Sequence, residues 1–373
     1  MEATVITIIG AGVIGLAVAA QLAGKYGEVY ILEKNEKFGQ ETSSRNSETI
    51  HAGIYYPEGS LKAETCVAGN ALLYELCQQY GIPHRKAGKL IVATRDDEVG
   101  QLEALLQQGK RNGARDLAML SRREVKELEP NVEAIAAVSS PSSGIIDSYA
   151  LMKFFLSRAK EKGAEIAYVS KVIGIERLAD GYRVMVENGS GTFPFKTEVL
   201  INCAGLHSDK IAQLAGIDID RAGYKLHYCK GEYFSVGSSK SRLVKRLIYP
   251  VPVPGAGGMG IHNVFDIEGR MRLGPNARYV NEIDYKVDES QKGAFYESVK
   301  SFLPFIEYGD LEPDMAGIRP KLAGPGEGFR DFVIRHEQDK GLPGLINLIG
   351  IESPALTSAP AIAELVEGLV KQL

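Results

Sequence analysis

The first forty residues carry the apolar pattern of a β-strand, a helix and a second β-strand. The run VITII at residues 5–9 is short and β-branched, as expected for a strand buried on both faces of a parallel sheet. Residues 13–23 have the composition of a helix, and residues 28–32 predict the next strand. The pattern therefore predicts a βαβ unit of a Rossmann-like α/β fold.

Three glycines stand between the predicted strand and the predicted helix, in the spacing GxGxxG. In this setting Gly10 makes the tight turn, and Gly12 lets the backbone approach a pyrophosphate. Gly15 lets the helix pack closely on the strand. Glu33 ends the second strand about twenty residues further on, where an acid accepts a hydrogen bond from a ribose hydroxyl. The motif predicts a dinucleotide site and argues against NADP, but it does not choose between FAD and NAD.

The sequence after this unit favours FAD, the longer of the two cofactors. Residues 34–53 are polar and hydroxyl-rich without helical or strand periodicity, which indicates a loop that wraps a ligand. Residues 198–205 predict another apolar strand that ends in Ala-Gly, and residues 345–370 predict a strand, a turn and an amphipathic helix from about Leu356. The positive end of that helix could face a second part of the cofactor. Three nucleotide-proximal segments this far apart suit FAD better than a compact NAD unit.

A second type of pattern lies between these segments. The runs KGEYFSV, RLIYPVP and GRMRLGP, at residues 230–236, 246–252 and 269–275, are separated by Gly, Pro and Ser clusters. Such spacing predicts short strands of an antiparallel sheet. Residues 101–113 predict an amphipathic helix.

Length and composition limit the number of domains, the classes of binding partner and the expected location. The chain has 373 residues, 45% of them hydrophobic, which is enough for two domains at roughly 150 residues each. A net charge of −4, without a block of Lys and Arg, makes nucleic acid improbable as a partner. The N-terminus lacks a basic signal-peptide region, and no apolar run approaches the ~18 residues that span a bilayer. We expect a cytoplasmic protein, at most in peripheral contact with a membrane.

The four cysteines fit that location. No pair has CxxC spacing or lies in a histidine-rich cluster, so neither a metal site nor a redox pair is predicted. Free buried thiols in a reducing compartment are the simplest interpretation for all of them, namely Cys66, Cys77, Cys203 and Cys229.

Five segments together resemble a known family. They are TSSRNSETIHAGIYYPEGSLKAETCVAG at 42–69, AGKLIVAT at 87–94, GIIDSYAL at 144–151, NCAGLHSDKIA at 202–212 and LIYPVPVP at 247–254. The chain resembles the FAD-dependent L-2-hydroxyglutarate dehydrogenases and oxidases, within the D-amino-acid oxidase and glycerol-3-phosphate dehydrogenase superfamily. The matches extend over essentially the whole chain.

The resemblance implies a split architecture. A Rossmann-like FAD-binding domain, of the glutathione-reductase-like and D-amino-acid-oxidase type, would be assembled from residues 1–80, 145–220 and 315–373. An α+β substrate domain on a mixed or antiparallel sheet would comprise residues 81–144 and 221–314.

The resemblance, together with the glycine motif, also implies the residues that bind FAD without a covalent link. They are Gly10, Gly12, Gly15, Glu33, Lys34, Thr42, Ser43, Ser44, Arg45, Asn46, Ser47, His51, Val172, Ala204, Gly205, Gly350, Glu352, Ser353, Leu356 and Thr357.

Three residues are candidates for catalysis. Oxidation of a 2-hydroxy acid passes a hydride to flavin N5 and a hydroxyl proton to a base, and His51 lies in the loop that the family places beside the flavin. His262 is a rival base, and either histidine could instead only support the flavin or a domain joint. Arg319, in a Gly-x-Arg setting of the superfamily, would hold the substrate carboxylate with its planar guanidinium unless it forms a structural salt bridge. The other histidines are interpreted as surface or packing residues: His84, His207, His227 and His336.

The substrate pocket is predicted to include Glu48, Tyr56, Lys62, Tyr233 and Tyr249, with Tyr55 nearby. One departure from the family lies in this set. The chain reads NSETIHAG where the family usually reads NSGVIHAG, so Glu48 and Thr49 replace a Gly-Val pair. A carboxylate close to the flavin would repel a dicarboxylate, which leaves the identity of the substrate open.

Three functions remain open from sequence. The first is FAD-dependent oxidation of an L-2-hydroxy acid, L-2-hydroxyglutarate or a relative, to the 2-oxo acid. The second is an amino-acid or secondary-amine oxidase of the same superfamily, and the third is a flavin-binding protein without turnover. The electron acceptor, whether a quinone, another carrier or oxygen, is not predicted.

Overall fold

The computed structural model describes residues 5–252 and 259–373. The end of the LIYPVPVP segment, at 253–254, lies outside the described residues. Within them, no helix combines the length and apolar composition needed to cross a membrane.

The described residues form strands with these bounds: β1 Val5–Ile9, β2 Glu28–Leu32, β3 Thr49–Ile50, β4 His84–Arg85, β5 Lys89–Ala93, β6 Ala118–Ser121, β7 Ala136–Ser140, β8 Gly144–Ile146, β9 Glu165–Ala167, β10 Lys171–Leu178, β11 Gly181–Asn188, β12 Gly191–Thr197, β13 Val199–Asn202, β14 His227–Val236, β15 Leu247–Pro250, β16 His262–Phe265, β17 Met271–Gly274, β18 Arg278–Val280, β19 Leu311–Lys321, β20 Val333–His336 and β21 Leu345–Ile349.

The helices are α1 Val13–Leu22, α2 Leu61–Tyr80, α3 Val99–Arg111, α4 Arg122–Leu128, α5 Ser148–Glu161, α6 Ser208–Leu214, α7 Ile219–Ala222, α8 Ser238–Ser241, α9 Lys292–Val299 and α10 Ala355–Val370.

A six-stranded sheet in the order β20-β21-β13-β1-β2-β9 forms the larger half of the fold. Strand β1 pairs in parallel with β2 and β13, and β20 is antiparallel at the edge. Helix α1 is apolar along nearly its whole circumference, because it packs against α5 and α10 as well as close to the sheet. The predicted βαβ unit and α/β fold class are confirmed.

Two further sheets make up most of the other half. One has the order β16-β17-β14-β18, with β19 paired to β14, and the other has the order β15-β5-β7-β6. Strands β14 and β17 form the antiparallel sheet predicted for their sequence. The prediction was wrong for the run at 246–252, because β15 leaves that sheet and pairs in parallel with β5. A short apolar run carries no signal for its partner when that partner lies more than 150 residues away.

The strand bounds can be compared with the predicted division of the chain. All strands of the six-stranded sheet lie within residues 1–80, 145–220 and 315–373, whereas β19 begins at Leu311 and crosses the boundary drawn at 315. The division into two domains remains a prediction. All four cysteines are free and buried, as expected.

Candidate active site

A cavity of about 1170 Å³ reaches from the glycine turn to the antiparallel sheet. It brings together most of the residues singled out in the sequence. Those that line it are Gly10, Gly12, Glu33, Lys34, Thr42, Ser43, Arg45, Asn46, Ser47, His51, Tyr55, Tyr56, Lys62, Val172, Ala204, Gly205, Tyr233, Tyr249, His262, Arg319, Glu352, Ser353 and Leu356.

The glycine turn leaves no room for side chains. A Cβ on Gly15 would lie 2.0 Å from the Gly10 carbonyl oxygen, and one on Gly12 would lie 2.9 Å from Ser43 Oγ. Gly10 has a φ of +103° and would bring a Cβ to 2.6 Å from the Cys203 carbonyl oxygen. The turn therefore brings bare backbone to the cavity wall at the start of α1, which is the arrangement that binds a pyrophosphate.

Glu33 is buried beside this turn. Its carboxylate accepts hydrogen bonds from the backbone N–H groups of Ala11, at 2.8 Å, and Asn35, at 2.9 Å. A carboxylate has about four acceptor positions, so these two bonds leave capacity for ribose hydroxyls.

A cavity-lining residue that sequence reasoning missed lies close to Lys34. His207 lines the cavity and is 2.9 Å from Lys34 Nζ and 3.3 Å from Glu41 Oε1. These contacts lower the pKa of Glu41 despite the opposing effect of its burial. His207 was predicted to be a surface or packing residue, because its partners come from a loop more than 160 residues away.

The backbone of His51 is held by two helices. Its N–H donates to Thr357 Oγ1 of α10 at 2.9 Å, and its carbonyl oxygen accepts from Asn70 Nδ2 of α2 at 2.8 Å. The two helices approach closely here, since a Cβ on Gly69 would lie 2.2 Å from the Thr357 carbonyl oxygen. The imidazole faces the cavity, and its buried Nδ1 has no hydrogen-bond partner among the described residues.

His262 lies on β16 and lines the same cavity. Its Nδ1 is 2.7 Å from the Gly260 carbonyl oxygen, so the neutral ring that donates there presents Nε2 as an acceptor. The ring stacks on Tyr249 with centroids 3.5 Å apart.

Both imidazoles are uncharged at neutral pH. Burial, followed by the nearby Lys89 ammonium and His262, holds the pKa of His51 well below 6.5. Burial likewise lowers the pKa of His262 to about 3, with Lys89 and Arg319 as further causes. A neutral imidazole can accept a proton, which a base in this cavity must do.

Arg319 extends from β19, opposite Cys229 of β14, into the cavity. Its Nη2 donates to the Asn276 carbonyl oxygen at 3.1 Å. No carboxylate of the residues that the structure describes lies within 4.0 Å of the guanidinium, so the structural salt bridge considered as an alternative does not form there. The remaining donors are suited to a substrate carboxylate.

Lys62 forms an ion pair with Glu352. Its Nζ lies 2.9 Å from Glu352 Oε1 in a buried ion pair, and Lys321 Nζ lies 4.0 Å from the same oxygen. Next to this pair the Tyr56 hydroxyl is 3.4 Å from Ser353 Oγ. These groups form a polar section of the cavity wall.

Glu48, which was predicted to line the substrate pocket, is not among the residues that line this cavity. The residue has a φ of +53°, and its carboxylate accepts from the backbone N–H and hydroxyl of Ser148 at the start of α5. It lies on a separate small pocket with Asp147 and Arg272. Burial raises the pKa of the Glu48 carboxyl.

Four predicted FAD-binding residues also lie outside the cavity lining. Ser44 is exposed and donates to the Glu41 carbonyl oxygen. Thr357 is buried, and its hydroxyl accepts a hydrogen bond from the His51 N–H instead. Gly15 permits close packing within the glycine turn. Gly350 has a φ of +71° and packs against Leu322.

Comparison with known proteins identifies the family. The profile described as FAD dependent oxidoreductase matches residues 6–369. The chain belongs to the FAD dependent oxidoreductase family. Its cofactor is therefore FAD, which agrees with the bare glycine turn, the buried Glu33 and the size of the cavity.

Relatives of this flavoenzyme extend over nearly the whole chain. The mitochondrial L-2-hydroxyglutarate dehydrogenase of Arabidopsis thaliana is 38% identical and aligns with 96% of this chain and 81% of its own length. That of Caenorhabditis elegans is 33% identical, with 97% and 92% covered. Among solved structures, the FAD-bound L-α-glycerophosphate oxidase of Mycoplasma pneumoniae superposes with a TM-score of 0.86 at 28% identity, covering 100% of this chain and 95% of that one. The resemblance found in the sequence is confirmed.

Proposed function

We propose that this flavoenzyme oxidises L-2-hydroxyglutarate to 2-oxoglutarate. The observation that carries the proposal is the nearly full-length similarity to proteins named L-2-hydroxyglutarate dehydrogenase in a plant and a nematode. The cavity supports it, because its lining includes an arginine and two neutral histidines.

Arg319 is proposed to hold the C1 carboxylate. Its guanidinium can form two parallel hydrogen bonds to a carboxylate, which fixes the rotation of the neighbouring C2 atom as well as its position. The contact with Asn276 holds the arginine in place without neutralising it.

His51 is proposed to take the proton of the C2 hydroxyl. When bound, FAD supplies the acceptor for the C2 hydride. The two helices that hold the His51 backbone fix the position of the ring, and its unpartnered Nδ1 is available to a hydroxyl group. His262, through its stacking on Tyr249, is proposed to orient the substrate rather than to remove the proton.

Anaerobic mixing of the purified holoenzyme with a panel of hydroxy acids and amino acids tests the proposal. We expect L-2-hydroxyglutarate to bleach the flavin absorbance fastest, with an equivalent of 2-oxoglutarate formed. Fastest bleaching by an amino acid or secondary amine would instead support the alternative oxidase function.

FAD is proposed to be bound without a covalent link. Acid treatment should release free FAD into the supernatant, because the glycine turn and the side chains that would hold it lose their arrangement when the chain unfolds. Flavin that stays with the precipitated chain would contradict this.

Reoxidation of the reduced flavin by an electron acceptor is a separate step. We propose a quinone or another carrier, since the relatives above are named dehydrogenases. Reoxidation of the reduced holoenzyme by a soluble quinone should outpace reoxidation by oxygen, and faster reoxidation in the presence of lipid vesicles would support a peripheral membrane contact. Oxygen as the faster acceptor would make the protein an oxidase.

A further inference from the structure

Lys89 is a buried amine that has no carboxylate partner among the described residues. It begins β5, opposite Leu247 of β15, and only 1% of its surface is exposed. Its Nζ lies 3.8 Å from the centroid of the Tyr249 ring and 5.4 Å from that of Tyr55. No carboxylate of the described part of the chain lies within ion-pair distance of it. A buried ammonium that only two aromatic rings stabilise is costly to the folded state.

The two rings that cover Lys89 carry buried hydroxyl groups. Both Tyr55 and Tyr249 line the cavity, whereas Lys89 lies behind them. The buried Tyr55 hydroxyl has no hydrogen-bond partner among the described residues, and the Tyr249 hydroxyl, close to Thr49, likewise makes no bond of normal geometry. Two buried hydroxyls in front of a buried positive charge form a site for an anion.

We propose that the hydroxyls of Tyr55 and Tyr249 bind the distal carboxylate of a dicarboxylate substrate, with Lys89 supplying the compensating charge behind them. This inference rests on the proposed function and assigns the residues that select a diacid.

The position of the site relative to Arg319 fits such a substrate. The charges of Lys89 and Arg319 both act on His262, and Lys89 also acts on His51. His262 stacks on Tyr249 at 3.5 Å, so Lys89 at 3.8 Å from the same centroid must lie on the opposite face of that ring. Two separate cations, one on the cavity wall and one behind the tyrosine rings, therefore act on the same part of the cavity, as a substrate with two carboxylates requires.

The energetic cost of burying the Lys89 ammonium favours the binding of an anion at this site. Burial lowers the pKa of Lys89 to about 7, so the site is partly uncharged until an anion arrives. A carboxylate bound at the tyrosine hydroxyls stabilises the charged form of Lys89. A monocarboxylic substrate has no second carboxylate for this site, so the energetic cost of burying the Lys89 charge remains.

Binding of two inert acids tests the inference without turnover. Glutarate has carboxylates at both ends, and butyrate has the same carbon skeleton less one of them. Spectral titration of the holoenzyme flavin should give wild-type protein about 10- to 100-fold higher affinity for glutarate than for butyrate. In Lys89→Met this preference should largely disappear, through loss of glutarate affinity, while butyrate affinity stays within about threefold. An unchanged preference in Lys89→Met would overturn the inference.

Three controls complete the design. Lys89→Arg keeps the charge and should keep part of the preference for glutarate, and Tyr249→Phe should lose part of it. The melting temperature of Lys89→Met should rise by about 2 °C or more, because a buried unpaired cation is removed. A fall in that temperature with the preference intact would mark Lys89 as a structural residue.

The titration also separates this inference from the proposed function. If wild-type holoenzyme prefers glutarate but L-2-hydroxyglutarate does not bleach it, the diacid site stands and the proposed reaction fails. If L-2-hydroxyglutarate bleaches the flavin while glutarate and butyrate bind equally, the reaction stands and the diacid site fails.

Discussion

The His51 N–H donates a hydrogen bond to the Thr357 hydroxyl at 2.9 Å, across 306 residues of chain. The bond ties the loop that carries the proposed base to the first turn of the C-terminal helix. The same hydroxyl lies 3.3 Å from the Thr49 carbonyl oxygen and can donate to it. Thr357 thus fixes the position of the proposed base, although it does not line the cavity.

Replacement of Thr357 should therefore affect catalysis from outside the cavity. Thr357→Val keeps the shape but leaves the buried His51 N–H without its acceptor, which costs about 1–3 kcal/mol of stability. We expect anaerobic flavin reduction to slow by about tenfold or more through misplacement of the ring. Thr357→Ser keeps the hydroxyl and should stay near wild type; equal behaviour of the two variants would contradict the positioning role.

Arg319→Lys should impair substrate use with little effect on FAD. Lysine keeps the charge but loses the two-pronged geometry, so kcat/KM should fall by a factor equivalent to about 2 kcal/mol or more of transition-state stabilisation. Flavin content, measured by absorbance, should remain near that of the native protein. Normal turnover by the variant would exclude Arg319 as the carboxylate anchor.

The pH profile of flavin reduction should show an unusually acidic midpoint on its lower limb. An ordinary histidine is half protonated at about pH 6.5, but burial and Lys89 hold the pKa of His51 well below that value. The rate should therefore persist as pH falls through 6.5 and decline only in more acidic buffer, where the imidazole becomes charged. A midpoint at or above 6.5 would contradict this environment for the base.

The left-handed backbone at Glu48 gives a stability prediction. At φ +53° a glycine is free of the strain that any side chain carries. Glu48→Gly should therefore be more stable than Glu48→Ala by about 1 kcal/mol, as both variants lose the bonds to Ser148. Both should retain the native preference among substrates, because the carboxylate points away from the cavity; a changed preference would return Glu48 to the substrate pocket. Urea denaturation and the substrate panel provide the two measurements.

Local patterns were sufficient to predict the dinucleotide half of the fold. Strands β1 and β2 have the predicted bounds, and α1 ends one residue before the predicted end. Their signal is local: a buried strand, the glycine turn and an apolar helix each occupy consecutive residues. The place of β15 was not predictable in this way, since its partner is set by the packing of distant segments.

In the candidate site, too, residues fixed by a local pattern were predictable and residues placed by distant packing were not. Gly10, Gly12 and Glu33 were identified because backbone approach and ribose binding impose a residue type at a fixed spacing. Glu48 was misplaced because the direction of its side chain follows from a left-handed φ, which a non-glycine sequence does not signal. Lys89 was missed because the first residue of an apolar strand gives no indication that its side chain ends between two tyrosine rings.

The role of His51 as the base is tested most directly by stopped-flow, anaerobic reduction of the flavin by L-2-hydroxyglutarate in wild type, His51→Ala and His262→Ala, side by side. We expect the flavin of His51→Ala, with FAD still bound, to be reduced about 10² to 10⁴ times more slowly than that of wild type, the range for loss of a general base. His262→Ala should lose far less. Reduction of His51→Ala at nearly the native rate, with His262→Ala strongly impaired, would contradict this role of His51 and make His262 the base.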